Sequence, residues 1–311
     1  MANKLGKALT HPRDLLVYAM NKWHVGQSLS DEKYLRLIYR IKFGKKLNLE
    51  HPVTFNEKLQ WLKLHDRNPL YPKMVDKITA KDYVASIIGE EYIIPTLKVY
   101  GSVDEIKLEE LPDRFVLKTN HSGGNSGVVI CHDKSTFDLA AAKKKLQHSL
   151  ESDMFSHTRE WPYTQIKPQI FAEQFMSEDG GLAPDDYKVH NFNGVPKVIL
   201  VCRDRFKESG LTSDFYSDNW EHLDIERPLH QNATQPIDRP AELDKMLELS
   251  EVLSKDIPFV RTDFYTIKNH LYFGELTFYP ASGFQKFEPE KWDKTLGDWL
   301  VLPVGVGGVN C

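Results

Sequence analysis

The sequence has only three cysteines, Cys131, Cys202 and Cys311. Their spacing gives neither a disulfide framework nor a CxxC metal pair, and a reducing compartment is the simplest setting. No apolar run approaches the roughly 20 residues that a membrane-spanning helix needs. There is no excess of positive charge either: the formal net charge is −4 over 311 residues. That argues against a dedicated nucleic-acid binder, though a local basic site remains compatible with it. Internal repeats, low-complexity segments and Asp-x-Asp motifs are absent. The opening stretch, MANKLGKALTHPRDLLVYAMNKW, is basic, but its apolar run LLVYAM is short and follows Arg13 and Asp14. It does not read as a signal peptide. It fits either an amphipathic helix on a membrane surface or a helix packed on its own domain.

What is present supports a folded enzyme-sized chain. Sixteen Phe, thirteen Tyr and six Trp can fill a substantial core, and the length allows two or three compact units. The first part reads as helical. SDEKYLRLIYRIKF begins with Ser30, an expected N-cap, and sets Leu35, Ile38 and Ile41 at helical spacing. TFNEKLQWLKLHD opens on a Thr54–Glu57 capping box. DKITAKDYVASIIGEE predicts a third helix that stops at Gly89. Strands follow at EYIIPTLKVYG, RFVLKTN, GVVICH, QIFAEQFM, DYKVHNF and KVILVCRDR, with an Asn193-Gly194 turn. STFDLAAAKKKLQHSLES predicts a helix capped by Ser135 or Thr136, and PAELDKMLELSEVLSKD another. FVRTDFYTIKNHLYFGELTFYP predicts two strands around Lys268-Asn269. The expected organisation is helices first, then a strand-rich α+β body, with a loose tail at 304–311.

Several stretches carry candidate chemistry. RFVLKTNHSGGNSGVVIC sets Lys118 on a strand before a small polar loop. Glycines there let backbone N–H groups approach an anion, and Lys118 adds a point charge. A simple flexible loop has the same composition. It is not a Walker loop, because no lysine and helix follow the glycines, and not a dinucleotide fingerprint, because a strand follows. FAEQFM ends a strand whose backbone can meet a purine edge, with Phe175 or Met176 as a wall; an ordinary sheet strand reads the same. Asp186 and Lys188 lie two apart, so they share a face. They suit a ribose hydroxyl and a phosphate, or equally a surface ion pair. Arg203 ends an apolar strand. Arg261 and Asp263 share a face, as do Glu275 and Thr277 on the next strand. Carboxylates within apolar strands need a cation, and two hard oxygen ligands on neighbouring strands suit Mg²⁺. Pairing with Arg261 is the structural alternative.

Taken in order, these pieces resemble the ATP-grasp superfamily. The pattern TFNEKLQWLKLHDRNPLY, FVLKTNHSGGN, DYKVHNFNG, PFVRTDFY and YFGELTFYPASGF is most similar to TupA-like ATP-grasp proteins of bacterial surface-polysaccharide gene sets. The resemblance implies an α+β ATP-grasp fold, with two α+β subdomains, a lid over 73–172 and a core over 173–303, clasping ATP after a helical region over 1–72. It implies that Lys118 and the loop Ser122, Gly123, Gly124, Asn125, Ser126 and Gly127 cover the triphosphate. It matches Glu173, Gln174, Phe175 and Met176 to the adenine hinge, and Asp186 and Lys188 to the ribose and second-lysine positions. Asp263 and Glu275 match the magnesium carboxylates, and Arg261 the arginine two residues before the first of them. Arg203 is expected to help neutralise phosphate, and Lys77 to be a further phosphate-contacting lysine. One departure stands out: many relatives carry Glu-x-Asn, where this chain has Glu275-Leu276-Thr277. A threonine hydroxyl is the weaker Mg²⁺ ligand, so an ion is held more loosely there or water substitutes.

The function implied is an ATP- and Mg²⁺-dependent carboxylate–amine ligase of the cytoplasm, working through an acyl phosphate. Its expected substrates are an amine and a sugar acid, free or linked to a nucleotide or lipid, in capsule, O-antigen or teichuronopeptide synthesis. A glycosyltransferase of the same pathway is the alternative, and a non-catalytic nucleotide-binding protein a third reading. No nucleic-acid partner is expected.

Overall fold

The computed structural model describes residues 12–124, 126–177, 184–203, 210–228 and 231–303. Asn125 and the expected tail at 304–311 lie outside the described residues. The helices come first: α1 (Pro12–Lys22), α2 (Asp31–Phe43), α3 (Phe55–His65), α4 (Tyr71–Val75) and α5 (Thr79–Ile88). The capping box forms at the start of α3, with the Thr54 hydroxyl accepting from the Glu57 N–H and the Glu57 carboxylate accepting from the Thr54 N–H. Ser30 stands at the N-cap of α2 but makes no side-chain cap bond. Gly89 ends α5 at a φ of 109°, a conformation that a side chain would strain.

Two antiparallel sheets follow. The first has four strands, β1 (Thr96–Tyr100), β2 (Phe115–Thr119), β3 (Val128–Cys131) and β4 (Ile170–Gln174), in the order β1-β4-β2-β3. The run EYIIPTLKVYG is a strand only after Pro95, since a proline cannot donate to the ladder. Helices α6 (Leu139–Leu150) and α7 (Met154–Thr158) lie between β3 and β4. The α6 cap is a correction: Asp138, not Ser135 or Thr136, accepts from the Ala141 N–H. Residues 134–136 instead form a short 3₁₀ turn capped by Asp133.

The second sheet has five strands, β5 (Asp186–Phe192), β6 (Val195–Arg203), β7 (Thr212–Ser217), β8 (Phe259–Ile267) and β9 (His270–Thr277), in the order β7-β6-β5-β8-β9. Helix α8 (Leu243–Ser254) precedes β8, and α9 (Lys291–Trp299) follows β9. Three apolar clusters match this layout. Val17, Met20, Tyr34, Leu35 and Ile38 join α1 to α2. Phe115, Leu117, Leu146, Ile170 and Ala172 form the core of the four-stranded sheet. The largest cluster packs the five-stranded sheet against α8 and also takes in Phe55, Leu59 and Leu62 of α3. Helix α8 seals one face of the five-stranded sheet, with Thr262 and Ser250 hydrogen-bonded at 2.7 Å. The opposite face carries the charges.

Candidate active site

Alternation on β5 puts Asp186, Lys188 and His190 on that opposite face. The register sets Lys188 against Asp263 and His190 against Arg261 on β8, then Asp263 against Glu275 and Arg261 against Thr277 on β9. Side chains far apart in sequence therefore converge. Arg261 donates through Nε to Asp263 Oδ1 at 2.6 Å and through Nη2 to Asp263 Oδ2 at 2.7 Å. The same Nη2 reaches Thr277 Oγ1 at 3.1 Å and Glu275 Oε1 at 3.4 Å. Lys188 pairs with Asp263 and, at 2.7 Å, with Asp186.

The energetics of this cluster differ from one carboxylate to the next. Asp263 is 1% exposed, and burial raises its pKa against the pull of Arg261 and Lys188. Glu275 is also subject to burial, but Lys77, Lys188 and Arg261 together hold it well below the usual carboxylate range. Burial would lower the Lys188 pKa, yet Asp186 and Asp263 outweigh it and raise it. The three cations Lys77, Lys188 and Arg261 thus face the three carboxylates Asp186, Asp263 and Glu275.

Lys77 carries the cluster to the glycine loop. It leaves the chain between α4 and α5, donates to the Ser122 carbonyl at 2.9 Å, and lies 3.1 Å from Glu275 Oε2. Its own N–H donates to the Asn120 carbonyl at 3.0 Å. The loop closes on itself through Thr119 N–H to the Gly127 carbonyl at 2.9 Å. Gly124 sits at a φ of +60°. A Cβ on Gly127 would lie 2.0 Å from Thr119 Oγ1 and 2.2 Å from Ser122 Oγ, so only glycine fits. Ser126 Oγ donates to the Gly123 carbonyl at 3.0 Å.

Lys118 on β2 points at β4, where it pairs with Glu173. Lys118 and Lys188 thus each have a carboxylate partner on a neighbouring strand. Antiparallel pairing with β4 and β8 supplies partners that are distant in sequence. Glu173 is held from its other side by Lys81 of α5, at 2.6 Å. Burial raises the Glu173 pKa, but the two ammoniums prevail and lower it. Lys81 also donates to the Ile94 carbonyl and to Thr96 Oγ1. Burial nonetheless lowers its own pKa. Lys81 was not among the sequence candidates, because a lysine in TAKDYV reads as a solvated helix position. Its flanking Ala80 and Val84, both buried, were the available signal.

Other candidates are more dispersed. The Gln174 N–H donates to the Pro95 carbonyl at 3.0 Å, and Gln174 itself is exposed. The Phe175 ring lies under the Arg114 guanidinium at 4.0 Å and against His132 at 5.2 Å. Met176 is half-buried at the end of the same segment. Arg203 pairs with Asp185 at 2.9 Å and does not join the Arg261 cluster.

A further group has no counterpart among the sequence candidates. Asn56, Gln60 and Lys63 make a fully buried polar stripe on α3. Lys63 donates to the Thr158 carbonyl at 2.7 Å and to the Ser282 carbonyl at 2.8 Å. Gln60 donates to the Gly283 carbonyl at 2.6 Å, and Asn56 to the Gln285 carbonyl at 2.8 Å. Together they hold a turn in which Ala281, Ser282 and Gly283 all have positive φ. That turn lies just past Thr277, so TFNEKLQWLK and YPASGF form one unit behind the charge cluster. Burial pushes the Lys63 pKa down to about 7, against the field of Glu160.

The family model described as TupA-like ATPgrasp matches residues 57–301. The chain belongs to that family of ATP-grasp proteins, and its helices and two antiparallel sheets make an α+β ATP-grasp fold. Among solved structures it is similar to the D-alanine–D-alanine ligase of Bacillus anthracis, with 18% identity, a TM-score of 0.42, and coverage of 73% of this chain and 66% of that one. It is similar to an ADP complex of N5-carboxyaminoimidazole ribonucleotide synthetase, with 14% identity, a TM-score of 0.44, and coverage of 80% and 57%. A RimK-domain ATP-grasp protein from Sphaerobacter thermophilus shares 12% identity at a TM-score of 0.41, with coverage of 76% and 71%. The chain spans less than two thirds of the length of the first two. No curated protein matches the sequence.

Proposed function

We propose that the protein is an ATP- and Mg²⁺-dependent carboxylate–amine ligase. The observation that carries the reading is the convergence of Lys77, Lys188 and Arg261 with Asp186, Asp263 and Glu275 under a glycine loop. These cations and carboxylates already balance one another, so a triphosphate entering the site would need added positive charge. The Asp263 and Glu275 carboxylates and the Thr277 hydroxyl are hard oxygen donors, the type Mg²⁺ prefers, and would hold the ion. Mg²⁺ would supply neutralising charge at the transferring phosphoryl group.

The chain's own residues divide the remaining work. Lys77, Lys118 and Lys188 would meet the phosphates, once drawn from Glu275, Glu173 and Asp263. The backbone of Ser122–Gly127 would cover them. Glu173–Met176 would seat the adenine and Asp186 the ribose. Arg203 would have to release Asp185 before it met a phosphate. In the reaction, the acceptor carboxylate takes the γ-phosphoryl group of ATP and releases ADP. An amine then attacks the acyl phosphate, a proton leaves the nitrogen, and phosphate departs as the amide forms. Arg261 would stabilise the oxyanion of the tetrahedral stage.

The acceptor we propose is a uronic acid or related sugar acid, free or attached to a nucleotide or lipid, in the cytoplasmic stage of surface-polysaccharide synthesis. The division we propose is a helical region over 1–72, a lid over 73–172 and a core over 173–303. The test begins with melting temperature. ATP with Mg²⁺ should raise it and UDP-sugars should not, since a ligand selective for the folded state stabilises by about 2.7 kcal/mol at a hundred times its Kd. Incubation with ATP, Mg²⁺, a nucleotide-linked uronic acid and pooled amino acids should give a condensed product by mass spectrometry. The opposite ranking of nucleotides would move the assignment to a glycosyltransferase.

A further inference from the structure

Helix α1 is apolar on two sides. Val17 and Met20 face inward onto Tyr34, Leu35 and Ile38 of α2. At about 100° per residue, the arc opposite them carries Leu15, Tyr18, Ala19 and Lys22, and Leu16 lies on the flank beside Met20. Leu16 is 51% exposed and Tyr18 65%. Trp23, immediately after the helix, is 70% exposed, and Val25 is exposed beside it. An apolar helix face is normally buried. The outer one here is exposed, and the chain that follows the helix is fastened in place. Arg159 donates to the Gln27 carbonyl at 2.9 Å, and the Tyr34 hydroxyl to the His157 carbonyl at 3.2 Å. The apolar face is thus presented by a segment tied to the body of the protein.

We propose that this outer face of α1 docks on an anionic lipid surface. Three features favour a bilayer over a second copy of the chain or another protein. The aromatic residues are Tyr18 and Trp23, the types that settle at the headgroup level of a membrane. The polar residue within the apolar arc is Lys22, which is exposed. The first 24 residues carry Lys4, Lys7, Arg13 and Lys22 against Asp14, a local surplus of three positive charges in a chain whose total is −4. A segment with a surplus of positive charge in its sequence and an exposed apolar, aromatic-bearing helix face is complementary to anionic headgroups. The inference stands apart from the ligase reading, because none of these residues lies in the charge cluster.

The experiment is vesicle flotation of the full chain. Mixed phosphatidylcholine–phosphatidylglycerol vesicles should carry the protein up, and pure phosphatidylcholine vesicles should carry much less. Leu16→Ser with Trp23→Ser should weaken binding by about tenfold or more, while leaving the ATP-induced rise in melting temperature in place. Lys22→Glu, which removes no packing, should weaken binding to the anionic vesicles by about tenfold and restore little with neutral lipid. Equal flotation of the wild type and both variants would overturn the proposal, as would no flotation at all. Sedimentation velocity is run on the same preparations. A dimer that the Leu16→Ser/Trp23→Ser variant converts to monomer, without lipid binding, would assign the face to a second copy and also overturn it.

Discussion

Lys77 lies 3.1 Å from Glu275 Oε2 while donating to the Ser122 carbonyl at 2.9 Å, so one ammonium ties the last strand of the core sheet to the glycine loop of the other sheet. Both partners are partly exposed, which keeps the ion pair itself modest. Its consequence is positional. Lys77→Met is expected to cost about 1 kcal/mol or less in denaturant unfolding. It should also speed amide exchange over 120–127, which loses its anchor. Exchange unchanged over that segment would show that the loop is set without Lys77.

Glu173 accepts from two ammoniums, Lys81 and Lys118, and is 5% exposed. Glu173→Gln leaves two cations facing each other with no carboxylate between them. Breaking a buried pair from one side costs about 3–5 kcal/mol. The folded pKa is lowered, so this contribution is present above the unfolded value, near 4.5, and is lost as pH falls through the folded one. Lys118→Met should cost less, since Lys81 still neutralises Glu173. Urea midpoints of the two variants, compared at neutral pH, check the order.

How much of this was legible beforehand differs by residue. The capping box at Thr54, the stop at Gly89 and the strand pairs around Asn193 and Lys268 rest on neighbours within a few positions, and sequence carries such signals directly. The roster of charges was legible too, because Asp263 and Glu275 interrupt apolar strands. Their pairings were not. Lys118 meets Glu173 through the β2–β4 register, and Lys188 meets Asp263 through β5–β8; neither register can be read from either strand alone. The α3 stripe was hidden for another reason. Asn56, Gln60 and Lys63 look like the wet side of an amphipathic helix, and only the turn at Ala281–Gly283 gives them buried carbonyls to bind.

His190 gives the site an acid-sensitive member. It lies between Phe215 and Phe259, with ring centroids 6.4 and 6.1 Å away. Burial first, and then the Arg261 charge, push its pKa down to about 3. The unfolded chain binds a proton near pH 6.5 that the folded chain refuses. Stability is therefore whole above about pH 6.5 and declines as pH falls toward 3, by at most about 1.4 kcal/mol per unit. Denaturant unfolding at pH 7 and pH 5 should differ by about 2 kcal/mol more in the wild type than in His190→Gln. Equal differences would mean that His190 is protonated in the folded protein.

The glycine loop offers a contrast within six residues. A Cβ at Gly127 would lie 2.0 Å from Thr119 Oγ1, 2.2 Å from Ser122 Oγ and 2.6 Å from Ser149 Oγ. Those hydroxyls are bonded to one another, Thr119 to Ser122 at 2.7 Å and to Ser149 at 2.8 Å, so no one of them can move alone. A Cβ at Gly123 would meet only the end of Met154, at 3.6 Å. Gly127→Ala is expected to cost about 1–3 kcal/mol by overpacking. It should also weaken ATP binding about tenfold, because the hydroxyl trio fixes where the loop begins and ends. Gly123→Ala should stay within about 0.5 kcal/mol of the wild type in stability. If it nevertheless loses ATP affinity, the loop backbone at 123 approaches the nucleotide directly. If Gly127→Ala melts and binds like the wild type, the trio does not shape the loop, and the phosphate cover must be sought in Lys77 and Lys118 alone.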